Sequence, residues 1–276
     1  MAVLNKWKAL TIRKKVCLTI LLIYILIAIF APGIMPFEVT DFSHPSLATP
    51  DSTYLLGTDE MGHDIFSMLI HGFRLTVALA LISGFLSTLL GTLLAFCASY
   101  LGKAVDEVLT IIANVFIIVP ETVVIMFVAV FAEPTLLNTV LVIVCFSWPR
   151  VYKIIRGKLE DSMQSSKVQY TIMMRGNVID VIRKLFPDVF PAIVSFFVLQ
   201  CNKGVMYETT LSFFGVGDPL AKTWGKLINS AMQYEDLYYD NVFTWYLIPP
   251  IVVVVVFVIS LALLVGNLVQ IGRAHV

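Results

Sequence analysis

Six long apolar runs constrain this chain more than anything else in its sequence. They are Val16 to about Phe37, Leu75–Leu101, Val108–Phe131, Thr139 to about Ile155, Phe190–Phe213 and Trp245 to about Leu268. A bilayer hydrocarbon core of about 30 Å needs about 20 residues of helix. Most of these runs meet that length; the fourth is short, and Pro120-Glu121 interrupts the third. Residues 1–15 precede the runs as a short basic N-terminus, and residues 38–74 form a polar interval after the first. The reading is an all-α integral membrane protein with six transmembrane helices. Residues 16–37 are the first helix, and residues 75–270 form a five-helix core.

Composition agrees. The chain is 58% hydrophobic and 14% charged, against roughly 25% charged in ordinary soluble domains, and its mean hydropathy is +0.88. Water-soluble classes are excluded. The formal net charge is zero, so the overall balance says nothing about nucleic acid, which is not expected as a partner. Cys17, Cys97, Cys145 and Cys201 all fall inside apolar runs without the short Cys/His spacing of a metal site. They read as small buried residues, with no structural disulfide or zinc. The run after the basic N-terminus continues to Met35 without a small-x-small cleavage site, which marks a retained helix rather than a signal peptide. The last six residues, Ile271–Val276, are read as a non-native tail that matches one frame of a common sequencing-library adapter.

The distribution of Lys and Arg fixes an expected orientation. Lys6, Lys8, Arg13, Lys14 and Lys15 precede the first run, Lys103 sits in a short turn, and eight more lie between Trp148 and Pro191. The opposite side receives Arg74, Lys222 and Lys226. The bias places both termini and the Trp148–Pro191 interval in the cytoplasm, with Glu38–Arg74 and Gly215–Thr244 outside. Trp224, Tyr234, Tyr238, Tyr239, Trp245 and Tyr246 suit the outer interface, where amphipathic rings settle.

The basic interval, bounded as a loop at residues 150–189, reads as two short helices around Gly176. The second carries Val178, Ile179, Ile182, Leu185 and Phe186 on one side and Asp180, Arg183 and Lys184 on the other. That spacing gives an amphipathic helix of about two turns, expected to stop at Pro187. Gly176 can take the positive φ that reverses the chain. The result is a helix–Gly–helix elbow between the fourth and fifth transmembrane helices, a shape another protein can grip.

Three stretches resemble a known family. Leu56-Gly-Thr-Asp-Glu-Met-Gly-His-Asp64 resembles Leu-Gly-Thr-Asp-x-x-Gly-Arg-Asp, with His63 at the Arg position. Tyr207-Glu-Thr-Thr-Leu-Ser-Phe-Phe-Gly-Val-Gly217, followed by Thr223-Trp-Gly225, resembles Leu-Glu-x-x-Leu-Ser-Phe-Leu-Gly-x-Gly and its sequel. The third stretch is the elbow, where Gly176, Arg183, Lys184 and Phe186-Pro187 fit the family loop; Tyr170, Thr171 and Ile172 replace its Glu-Ala-Ala. The family is the permease subunits of binding-protein-dependent ABC importers, within the dipeptide/oligopeptide/nickel group and of its second-permease type. The resemblance covers about Val16 to Gln270. It implies a multi-pass protein of a prokaryotic inner membrane, importing peptides, nickel or a metal chelate. It also implies a second permease subunit as heterodimer partner, two cytoplasmic ATPase subunits and an extracytoplasmic solute-binding protein. The elbow, with Tyr170, Thr171, Ile172, Gly176, Arg183, Lys184 and Pro187, is implied to dock on an ATPase and transmit its closure.

No catalytic constellation, cofactor or metal site is expected. No Gly-rich phosphate loop with Lys-Ser/Thr appears, so ATP hydrolysis belongs to the partner subunits. His63 and His71 lack a carboxylate or Cys at fixed spacing to complete a ligand set and read as solvated. The alternatives are a channel or an integral membrane enzyme not coupled to an ATPase; an enzyme should place catalytic pairs within the spans. Only Glu121, Lys203 and Glu208 lie there. Glu121 and Lys203 are each the fourteenth residue of their run, so their depths match. They are expected to pair across helices, as a lock or on the translocation path. Glu208, five residues from Lys203, is poorly spaced to compete.

Overall fold

The computed structural model describes residues 12–174, 177–239 and 241–273. Among them ten α-helices account for almost all regular structure. They are α1 (Ile12–Ile34), α2 (Ile65–Leu101), α3 (Lys103–Ile118), α4 (Glu121–Phe131), α5 (Leu136–Met163), α6 (Ser166–Met173), α7 (Val178–Phe213), α8 (Trp224–Gln233), α9 (Val242–Tyr246) and α10 (Ile248–Arg273). Helices suit a bilayer because each satisfies its own backbone hydrogen bonds where no water can. Among the described residues four stretches have the length and apolarity to cross: Lys14–Ile34, Ile65–Leu101, Leu136–Met163 and Val242–Gly266. The pair α3 and α4, bent by 87° at its break, makes a fifth if it counts as one span.

The helices run further than the apolar runs. Helix α2 begins at Ile65, ten residues before Leu75, and is capped by Asp64, whose side chain accepts a hydrogen bond from Ser67 N at 2.7 Å. The short turn expected after Leu101 is confined to Gly102, at φ +97°. The expected stop at Pro187 does not occur: α7 passes through Pro187 and Pro191 without ending. A helix-interior proline removes one hydrogen bond and crowds the preceding turn. Here Leu185, Val189 and Ala192, on one side of the same helix, are buried in a common cluster with α5 and α6. That packing outweighs the local defect.

Among the described residues, the two largest apolar clusters hold most of the molecule. The larger joins α1, α2, α7, α8, α9 and α10, with Tyr24, Phe73, Trp224 and Phe257 packed ring against ring. The smaller joins α2, α3, α5, α6 and α7 around Trp148, Tyr152, Leu159, Val168 and Val189. Small residues let the long helices approach. A Cβ on Gly84 would stand 2.5 Å from Cys201 Sγ, and one on Gly91 2.6 Å from Val151 Cβ.

The polar segment before α2 folds onto the helix ends. Asp59 accepts from Met61 N and His63 N, and its second oxygen lies 2.9 Å from His63 Nδ1. Gly57 and Gly62 hold φ of +71° and +83°, with Gly57 against the Trp245 ring. Among the described residues no group of His, Cys, Asp and Glu is arranged to hold a metal ion.

Candidate functional site: a charged cluster at a helix break and an elbow before the long helix

Pro120 supplies no backbone N–H to continue α3, and the chain turns before α4 begins at Glu121. The turn presents the Glu121 side chain to two other helices. Lys203 Nζ, on α7, lies 2.7 Å from Glu121 Oε2. Ser147 Oγ, on α5, donates to Glu121 Oε1 at 2.9 Å. Arg150 Nη2, one turn along α5, lies 3.8 Å from Glu121 Oε2. Gln200 Nε2 donates to Ser147 O at 3.0 Å, tying α7 to α5 beside the pair. The Lys203 ammonium also sits 5.9 Å from the Tyr207 ring centroid, within cation–π range. Glu121 is nearly buried, whereas the Arg150 side chain is 55% exposed.

Glu208 does not join this cluster. Five residues along a helix turn the side chain by about 140° relative to Lys203. Glu208 is fully buried instead, and Ser212 Oγ, one turn further along α7, donates to its Oε1 at 2.8 Å. The residues of the second motif turn out to be joints. Thr223 caps α8 and donates to Ser212 Oγ at 3.4 Å; Trp224 Nε1 donates to Leu69 O at 3.2 Å. A Cβ on Gly225 would stand 2.7 Å from Thr209 Cα, and one on Gly72 2.4 Å from the Trp224 ring. The motif thus folds α8 back over the end of α7 and against α2.

At the other end of α7 lies the elbow. Helix α6 is held from below by Val168, which is fully buried, and by the Lys167–Asp188 ion pair at 2.6 Å. Asn177 and Asp180 cap α7 reciprocally. Tyr170, Ile172 and Met173 of α6 are exposed, as are Met174 and Ile179. Thr171 Oγ1 donates back to Lys167 O. Arg183, Lys184 and Pro187 are exposed along the first turns of α7. Gly176 lies outside the described residues. The structure keeps the elbow residues and the Glu121–Lys203 pair at separate places on α7.

Arg150 and Ser147 were not singled out from the sequence as partners of Glu121. The fourth run is drawn to about Ile155, yet Arg150 is also the first residue of the basic loop at 150–189, and it is read with that loop. In fact α5 continues through Pro149 to Met163, which turns Arg150 towards the break rather than into the elbow.

Residues 87–271 match the family of binding-protein-dependent transport system inner membrane components. The chain belongs to this family. Among the permease's relatives is the dipeptide transport system permease protein DppC of Haemophilus influenzae, 28% identical over 229 residues, covering 79% of this chain and 77% of the relative. Another is the glutathione transport system permease protein GsiD of Pectobacterium atrosepticum, 28% identical over 214 residues, covering 76% and 71%. The fold resembles a chain of the inward-facing MetNI methionine ABC transporter, with a TM-score of 0.55 at 18% identity, over 76% of this chain and 97% of that one.

Proposed function

We propose that the permease is one half of the translocation path of an ABC importer for small peptides, with its elbow as the contact for a separate ATPase. Family membership supports the transport role, and the relatives named for dipeptides and glutathione support the peptide class. The observation that carries the coupling role is the set of exposed apolar side chains on α6. Met173 is 80% exposed and Tyr170 64%, in a segment otherwise rich in charge. Several large apolar side chains left exposed on one eight-residue helix suit a binding site for another protein. Val168 and the Lys167–Asp188 pair fasten that surface to α7, so a push on α6 moves a 36-residue helix. Tyr170, Thr171 and Ile172 give this surface a bulkier, less acidic contact than the family loop has.

In this reading α1, α2, the α3–α4 pair, α5, α7 and α10 make six crossings. Both termini and the elbow are cytoplasmic, in the inner membrane of a prokaryote. A second permease completes the path, two ATPase subunits drive it, and an extracytoplasmic binding protein delivers the solute.

Met173→Asp tests the coupling role, because so exposed a side chain contributes little to the fold. The variant should reach the membrane in normal amount yet lose its ATPase during detergent purification. Retention of the ATPase, together with normal stimulation of ATP hydrolysis by the loaded binding protein, contradicts the role given to α6.

A further inference from the structure

We propose that Arg150 and Lys203 form a carboxylate-binding station on the translocation path, held in readiness by Glu121. This rests on the reading of the permease as a peptide importer. The first observation is charge. Two cations converge on one carboxylate, at 2.7 and 3.8 Å, and neither has another carboxylate within 4 Å among the described residues. The cluster therefore carries one positive charge in excess. The second is exposure. Lys203 is 17% exposed and engaged at hydrogen-bond distance, while Arg150 is 55% exposed and stands further off. Charged side chains within membrane helices face protein or water-filled cavities, not lipid. The open side of Arg150 therefore marks a wet face of the bundle.

The third observation is the broken helix. Discontinuous membrane helices place substrate groups at their exposed ends, and the N-terminus of α4 adds positive potential at Glu121. An arriving carboxylate meets the Arg150 guanidinium, whose planar fork suits two parallel hydrogen bonds. Glu121 holds Lys203 in place meanwhile, and it limits the depth of the well, so that the solute can leave again. A peptide's free C-terminus has the required chemistry; an amidated C-terminus does not.

The test uses the complete transporter in proteoliposomes, with its ATPases and binding protein. The probes are a dipeptide and its C-terminal amide, both at saturating concentration. Arg150→Gln should slow import of the free dipeptide by about tenfold, the loss of one charge-assisted contact in a transient state. It should leave the amide rate and the complex's assembly as in wild type. Arg150→Lys, which keeps the charge but not the fork, should restore part of the loss. Equal slowing of both probes, an unchanged dipeptide rate, loss of the partner subunits, or failure of the lysine to restore import overturns the station. A wild-type complex that imports neither probe sinks the peptide reading as well, whereas normal import unaffected by the glutamine removes the station alone.

Discussion

At the scale of single residues, the costliest arrangement is the Glu121 cluster. An unpaired charge at mid-bilayer costs roughly 2.5–3.5 kcal/mol on insertion scales. The Glu121–Lys203 contact at 2.7 Å relieves both partners, and removing one strands the other, at about 3–5 kcal/mol for a buried pair. Glu121→Gln and Lys203→Met should each lower the yield of folded permease, while the double variant recovers much of that yield. Arg150 remains near Glu121, so the lysine variant should suffer less than the glutamine one. Yields that fall in the double variant by the sum of the single losses would show the two residues to be energetically independent. Depth counting could find this pair, because residues at equal distances from matching ends of two helices lie at one level. It could not find Arg150 or Ser147, whose approach depends on α5 continuing past Pro149.

At the scale of elements, the family-like motif from Tyr207 to Gly225 acts as a hinge plate between α7 and α8. Trp224 is its pin. It is fully buried, bonded to Leu69 O, and edge-on to Tyr24, Phe73 and Phe257. Trp224→Ala should cost about 3–5 kcal/mol, as large-to-small changes at buried aromatics do. It should loosen α8, read as a lowered melting temperature and new protease cleavage between Gly215 and Tyr234. A melting temperature within a degree of wild type would show that α8 is held elsewhere. The sequence marked these residues as a motif but placed Trp224 at a membrane interface. Indole rings do favour interfaces, yet this one is drawn inward because Gly72 leaves room for it. Such a fit between distant positions has no signature in local patterning. The extent of α7 was hidden for a related reason. Pro187 and Pro191 are strong local stop signals, and only the burial of Leu185, Val189 and Ala192 against other helices overrides them.

At the scale of the whole molecule, the apolar runs made the helical membrane architecture legible, since length and hydropathy act through the bilayer alone. The span count is harder to read. Lys203 and Glu208 dilute the apolarity of α7, and the 87° break divides α3 from α4. Lys203 and the break meet at the charged cluster, whereas Glu208 lies apart from it. A chain that only needed to cross the membrane would gain by replacing these groups with leucines. A transporter has use for a polar level inside the bilayer and for a lever that moves it. The elbow and the cluster's Lys203 share α7, so under the proposed coupling role a push on α6 has a mechanical route to the charged cluster. The most direct measurement of this account is dipeptide uptake by proteoliposomes holding the purified permease, its partner permease and its ATPases, with ATP sealed with the ATPases and binding protein on the opposite face. Accumulation above the external concentration is predicted only when ATP can be hydrolysed and binding protein is present. Equilibration without ATP, or uptake by the permease chain alone, would contradict it.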